Sequence, residues 1–127
     1  MDAAMTQQGL NEMGIDDVDL IFIENVGNLV CPAEFDTGAG INITILSVPE
    51  GDDKPAKYPL VYTVSDVVLI NKVDALAVFD FDKELVEKRI HTLNPKVQIF
   101  YISAKKDEGF ESWINYLKEK MKEWEEK

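Results

Sequence analysis

Cysteine is nearly missing from this chain of 127 residues, where Cys31 stands alone. One thiol excludes an internal disulfide framework. Histidine is equally scarce, and His91, the only one, reads as a helix-surface residue and not a ligand. Long apolar runs are absent. No stretch reaches the ~18 residues that a membrane-crossing helix needs. The start, Met1-Asp2-Ala3-Ala4-Met5, lacks the basic region and apolar core of a secretion signal. Positive charge is in short supply, because 13 Lys and Arg against 24 Asp and Glu leave a net charge of -11. That balance argues against a nucleic-acid surface, which needs clustered Lys and Arg. It would also repel anionic membranes. We read it as a solubility device. A cytoplasmic protein with no membrane or nucleic-acid partner is the expectation.

The chain is 46% apolar, too much for a disordered segment. Its length predicts one domain, residues 1–127, with a real core. Residues 2–13 read as a short helix stopped by Gly14. Leu20 to Ile23 reads as an apolar strand ending on Glu24. Asn25 to Asn28 is a turn by composition, and 33–40 is loop. A second strand is predicted at 41–48, then an exposed loop from Pro49 to Pro55. The segment 57–64 is ambiguous, although Pro59 could open a short helix. The run 66–70 is a strand rich in β-branched residues, suited to cover on both faces. A helix at about 82–93 follows, ended by Asn94-Pro95, then a fourth strand at 97–102. In the last helix, at about 109–125, Phe110, Trp113, Ile114, Leu117, Met121 and Trp124 share a core-facing stripe. Strands alternating with helices predict an α/β fold, mainly a parallel sheet of about four strands flanked by helices.

Polar residues gather where these strands stop. Glu24, Asn71 and Ser103 each close a different predicted strand. In a parallel sheet those ends share one rim, the place where ligands bind. After the core strand come Asn71, Lys72 and Asp74. An amide can donate and accept, a carboxylate accepts paired N–H groups, and a Lys stem can lie over a flat ring. These types suit a purine that carries both an acceptor and donors. A solvated turn after a core strand would carry the same residues.

The order Asn71-Lys72-Val73-Asp74, paired with Ser103-Ala104-Lys105, resembles the base-recognition motifs of P-loop GTPases. The string Glu24-Asn25-Val26-Gly27-Asn28-Leu29-Val30-Cys31-Pro32 closely resembles the HypB-type GTPases, which help insert nickel into [NiFe] hydrogenases. The likeness continues through Val48 to Pro55, Lys57-Tyr58-Pro59-Leu60 and the closing helix, so it covers nearly the whole chain. It implies a Rossmann-like P-loop GTPase domain. It implies that Asn71 and Asp74 read guanine, that Lys72 and Lys105 flank the nucleotide, and that the Ala104 N–H meets the guanine carbonyl beside Ser103. Glu24 would act near Mg²⁺ and the attacking water, and Gly27 on the γ-phosphate side. GTP or GDP with Mg²⁺ would be the nucleotide ligand. Cys31 would bind Ni²⁺ or Zn²⁺ at a homodimer interface, with hydrogenase maturation proteins as partners. Read without the resemblance, Cys31 is a small packed hydrophobe.

One part of the pattern is missing. None of the seven glycines begins the Gly-x-x-x-x-Gly-Lys-Ser/Thr loop that cradles phosphates. The resemblance is therefore to the C-terminal portion of such a domain, an incomplete one, inactive in GTP hydrolysis on its own. The absent strand would leave its neighbours with unpaired backbone groups, each costing about 1–3 kcal/mol if buried. The expectation is that the remaining strands pair directly or that another chain fills the gap. The alternative function is a nucleotide-incompetent metal-binding or dimerisation module. A receiver-like signalling domain fits less well, because Glu24 and Asn25 stand where a phospho-accepting Asp is needed.

Overall fold

A computed structural model describes residues 3–14, 17–24 and 39–125. Helix α1 spans Ala3–Met13 and ends where Gly14 takes a φ of 72°. Strand β1 is Ile43–Ser47, followed by a 3₁₀ turn at Val48–Glu50. Two short helices come next, α2 at Lys54–Lys57 and α3 at Pro59–Thr63. Strand β2 is Val67–Asn71, with a 3₁₀ turn at Val73–Ala75. Helix α4 is Lys83–Leu93, β3 is Gln98–Tyr101 and α5 is Phe110–Glu125. The three strands form one parallel sheet in the order β1-β2-β3.

Burial follows from composition. Strand β2 reads Val-Val-Leu-Ile, and Val67, Val68, Leu69 and Ile70 are all buried. Val68 and Ile70 join Leu46, Tyr62, Val86 and Ile90 on one face, under α3 and α4. Val67 and Leu69 join Ile102 and Trp113 on the other, under α5. A strand covered on both faces has no use for alternation, which is why it reads as a continuous apolar run. Two buried hydroxyls are satisfied in series. Ser65 donates to the Val61 carbonyl at 2.6 Å, so Thr44 donates to Ser65, also at 2.6 Å.

The stretch Pro49 to Pro55, expected as an exposed loop, is instead part 3₁₀ turn and part helix, tied down by hydrogen bonds. Ser47 N–H donates to Glu50 at 2.8 Å. Asp52 accepts from Asp82 N–H at 3.1 Å, and its carbonyl accepts from Arg89 at 2.7 Å. Asp82 also caps α4 by accepting from Leu85 N–H at 3.1 Å. Pro59 opens α3, as its fixed φ allows.

Three expectations fail. Residues 20–24 form no strand, and Leu20, Ile21 and Phe22 are exposed. The sheet therefore has three strands among the described residues, not four. An apolar run becomes a strand only when a neighbour takes its hydrogen bonds. Among the described residues the gap is not closed directly, because β1 pairs with β2 alone. Asn42 directs its carbonyl at β2, accepting from Val67 N–H at 3.2 Å. By strand alternation Ile43 and Ile45 then direct their N–H and C=O groups outward. The α5 stripe is also narrower than predicted. Phe110, Trp113, Tyr116 and Leu117 pack on the sheet, whereas Ile114 and Trp124 are exposed. A helix of 16 residues is about 24 Å long, and a strand of four only about 13 Å, so α5 outruns the sheet.

Candidate functional site

The carboxyl ends of β2 and β3 are adjacent, because Ile70 pairs with Tyr101. Beyond that pair the two chains stay joined, with Ile102 N–H donating to the Ile70 carbonyl at 2.8 Å and Val73 N–H to the Ile102 carbonyl at 3.2 Å. The side chains at these ends interlock. Asn71 Oδ1 accepts from Ala104 N–H at 3.1 Å. Ser103 Oγ donates to Asp74 Oδ1 at 2.7 Å and accepts from Lys106 N–H at 3.3 Å. The Ser103 hydroxyl holds the Asp74 carboxyl below the ordinary carboxylate range, with Lys106 and Lys105 adding to the effect and desolvation opposing it. Ser103 itself is fully buried.

The geometry assigns a chemistry to each group. Asp74 is held as an anion with Oδ2 outside the Ser103 bond, ready to accept paired N–H donors. Asn71 spends its carbonyl oxygen on Ala104, which leaves its NH₂ as a donor. The Ala104 N–H is engaged here, so it reaches a guanine carbonyl only by exchanging that bond. Lys72, Lys105 and Lys106 place positive charge around the rim of an acidic protein.

Of the residues singled out from sequence, Asn71, Asp74, Ser103 and Ala104 form one bonded group. Lys72 stands between the first two, and Lys105 follows Ala104. Glu24 is not brought to that rim by a strand, since 20–24 has none, and it is exposed. The predicted meeting of three strand tips is a meeting of two. Gly27 and Cys31 lie outside the described residues. Among the described residues no group of three or more His, Cys, Asp or Glu side chains could hold a metal ion. His91 is on the surface of α4, as expected, 3.3 Å from the Val97 carbonyl.

Sequence reasoning missed Gly109. The segment 103–109 is closed by reciprocal bonds between Ser103 and Glu108, at 3.0 and 3.1 Å. Gly109 has a φ of 78°, and a Cβ there would lie 2.1 Å from the Tyr101 carbonyl oxygen. The signal was available as a glycine closing a polar run after a strand.

Comparison with known proteins gives the chain's relatives. The hydrogenase maturation factor HypB of Escherichia coli K12 is 44% identical over 117 residues, which cover 92% of this chain and 40% of that protein. The crystal structure of HypB from Helicobacter pylori in complex with nickel superposes with a TM-score of 0.89 at 41% identity, covering 97% of this chain and 59% of that one. HypB from Archaeoglobus fulgidus gives a TM-score of 0.85 at 38% identity, covering 93% and 62%. The chain thus spans less than two thirds of each. The family described as CobW/HypB/UreG, nucleotide-binding domain, matches residues 1–101, and the chain belongs to that family.

Proposed function

We propose that this chain forms the base-recognising part of a guanine-nucleotide domain that serves nickel insertion into [NiFe] hydrogenase. The observation that carries the reading is the bonded group Asn71–Ala104 and Ser103–Asp74 on one rim. Asn71 and Asp74 take the guanine, Lys72 and Lys105 flank it, and Ser103 holds Asp74 in its anionic form. By family resemblance Glu24 works near Mg²⁺ and the attacking water, and Gly27 near the γ-phosphate. GTP hydrolysis needs a phosphate loop beyond these residues. Cys31 takes Ni²⁺ as cargo, or Zn²⁺, a soft thiolate suiting both. Exposed Val78 and Phe79, on the loop after Asp74, support a homodimer, because paired apolar side chains are a contact surface. Hydrogenase maturation proteins are the expected partners. No helix among the described residues is long and apolar enough to cross a membrane, and a cytoplasmic setting is proposed.

Calorimetry with GDP and ADP tests the reading. Weak GDP binding and weaker ADP binding are expected. Equal affinity for the two would refute base recognition, and binding as tight as a complete G domain would refute the incompleteness.

The second reading is a nucleotide-incompetent metal-binding or dimerisation module. It is favoured by the absence of Gly-x-x-x-x-Gly-Lys-Ser/Thr from the sequence. Nickel and zinc titration of wild type against Cys31→Ser separates the two. Unchanged metal binding in the variant removes the metal role.

A further inference from the structure

Lys72 occupies a conformation that its residue type does not favour. Its φ is 61° and ψ 38°, the left-handed region. Among the described residues only Asp107 is another non-glycine residue with positive φ. Asp visits this region with help from its short polar side chain, and Lys has no such help. Something else must require the turn here.

The geometry shows what. An extended β2 would carry residue 74 roughly 10 Å past Asn71, at about 3.3 Å per residue. The left-handed step at Lys72 ends the extension. Ala75 N–H then donates to the Lys72 carbonyl at 2.9 Å, and Val73 N–H turns onto the Ile102 carbonyl at 3.2 Å. That brings the Asp74 carboxylate to 2.7 Å from Ser103 Oγ. Two jobs are therefore separable within one residue. The backbone places Asp74, and the side chain stays on the rim.

We propose that the left-handed backbone of Lys72 is a specificity-positioning element, which sets guanine-over-adenine discrimination by placing Asp74, while the Lys72 side chain adds affinity without base preference. This rests on the base-site reading above. The placed carboxylate tells guanine from adenine, because it accepts the N–H groups that guanine alone presents together, whereas the Ala104 N–H is already engaged by Asn71. A methylene stem over a ring serves either purine.

The test uses the 127-residue chain with three substitutions. Lys72→Gly adopts the turn freely. Lys72→Asn adopts it more readily than Lys does. Lys72→Val, β-branched, resists it. GDP and ADP are each titrated by NMR, and the Asp74 carboxyl resonance is followed against pH. Gly and Asn variants should weaken GDP and ADP by the same factor, keeping their ratio within about threefold of wild type. The Val variant should lose about tenfold or more of that ratio. Its Asp74 should titrate at higher pH than in wild type, because the Ser103 bond that lowers it is lost. Should the Val variant not fold, Lys72→Thr replaces it, since it is also β-branched and resists the turn. Loss of discrimination in Lys72→Gly equal to that in Val or Thr, with Asp74 titrating as in wild type, assigns selection to the side chain and overturns the proposal. If wild type itself does not separate GDP from ADP, the base-site reading fails. The Asp74 titration in Gly against Val then still decides whether this backbone places the carboxylate, and equal curves refute it.

Discussion

Replacing Gly109 by alanine should damage the rim more than a substitution at any other glycine among the described residues. Two costs add. The first is conformational, because a φ of 78° costs an L-residue about 1–2 kcal/mol. The second is steric. The new Cβ would meet the Tyr101 carbonyl oxygen at 2.1 Å and must retreat to about 3.0 Å, a movement of about 0.9 Å for a turn that cannot compress backbone. That movement pulls on the reciprocal Ser103–Glu108 bonds, each contributing roughly 0.5–1.5 kcal/mol. A total loss of about 2–4 kcal/mol follows, large against a domain stability of about 5–15 kcal/mol. Urea denaturation measures it. Gly14 supplies the control, since its φ is 72° but nothing lies within 4 Å of an added Cβ. Gly14→Ala carries only the conformational cost, about 1 kcal/mol. Gly9→Ala, inside α1 with open space around it, should stabilise by up to about 1 kcal/mol. If the Gly109 and Gly14 variants lose the same stability, the close approach to Tyr101 is not what makes Gly109 necessary.

Further outcomes test other parts of the argument. Ser103→Ala removes the donor that holds the Asp74 carboxyl low. A depressed folded-state carboxyl stabilises above its unfolded pKa and loses that contribution as pH falls through the folded value. The variant should therefore titrate Asp74 at higher pH and flatten the acid limb of the stability curve, and an unmoved titration would contradict the bond. Ile70→Ala opens a cavity in a fully buried site and should cost about 2–5 kcal/mol by urea denaturation. Tyr62 is fully buried, and among the described residues its hydroxyl has no hydrogen-bond partner. Tyr62→Phe should thus be neutral or stabilising in a thermal melt, and a loss above about 1 kcal/mol would reveal a partner. Val78→Asp should lower the self-association constant in sedimentation without changing stability, and an unchanged constant would move the dimer contact elsewhere.

The core and half of the rim are legible in the residues. Val67 to Ile70 is apolar without interruption, and only a strand buried on both faces explains that in so short a run. The polar stop at Asn71 and Asp74, repeated at Ser103, follows from strands that end where the sheet meets solvent. Other features are not written locally. Leu20 to Ile23 has strand composition, but pairing is decided by a neighbour that composition does not name. Lys54 to Lys57 looks like a loop because it holds a proline, yet Pro55 sits in the first turn of α2 and is buried. The Asp53–Lys57 pair at 3.0 Å spans that turn on its exposed side and adds little. The left-handed step at Lys72 carries no residue signal, because Lys is a poor choice for it. It shows only in the fold, where Val73 N–H turns onto the Ile102 carbonyl.

The outward side of β1 has a colloidal consequence. Among the described residues nothing pairs with the backbone groups of Ile43 and Ile45 there, and the Ile45 side chain is half-exposed. The strand Ile-Thr-Ile-Leu-Ser has no lysine, proline or bulge to discourage a foreign strand. Mutual repulsion between molecules, each carrying the surplus of acid, is then what keeps them apart. Acidification or concentrated salt should turn a clear solution cloudy well before the core melts, and a lysine at Ile45 should keep it clear.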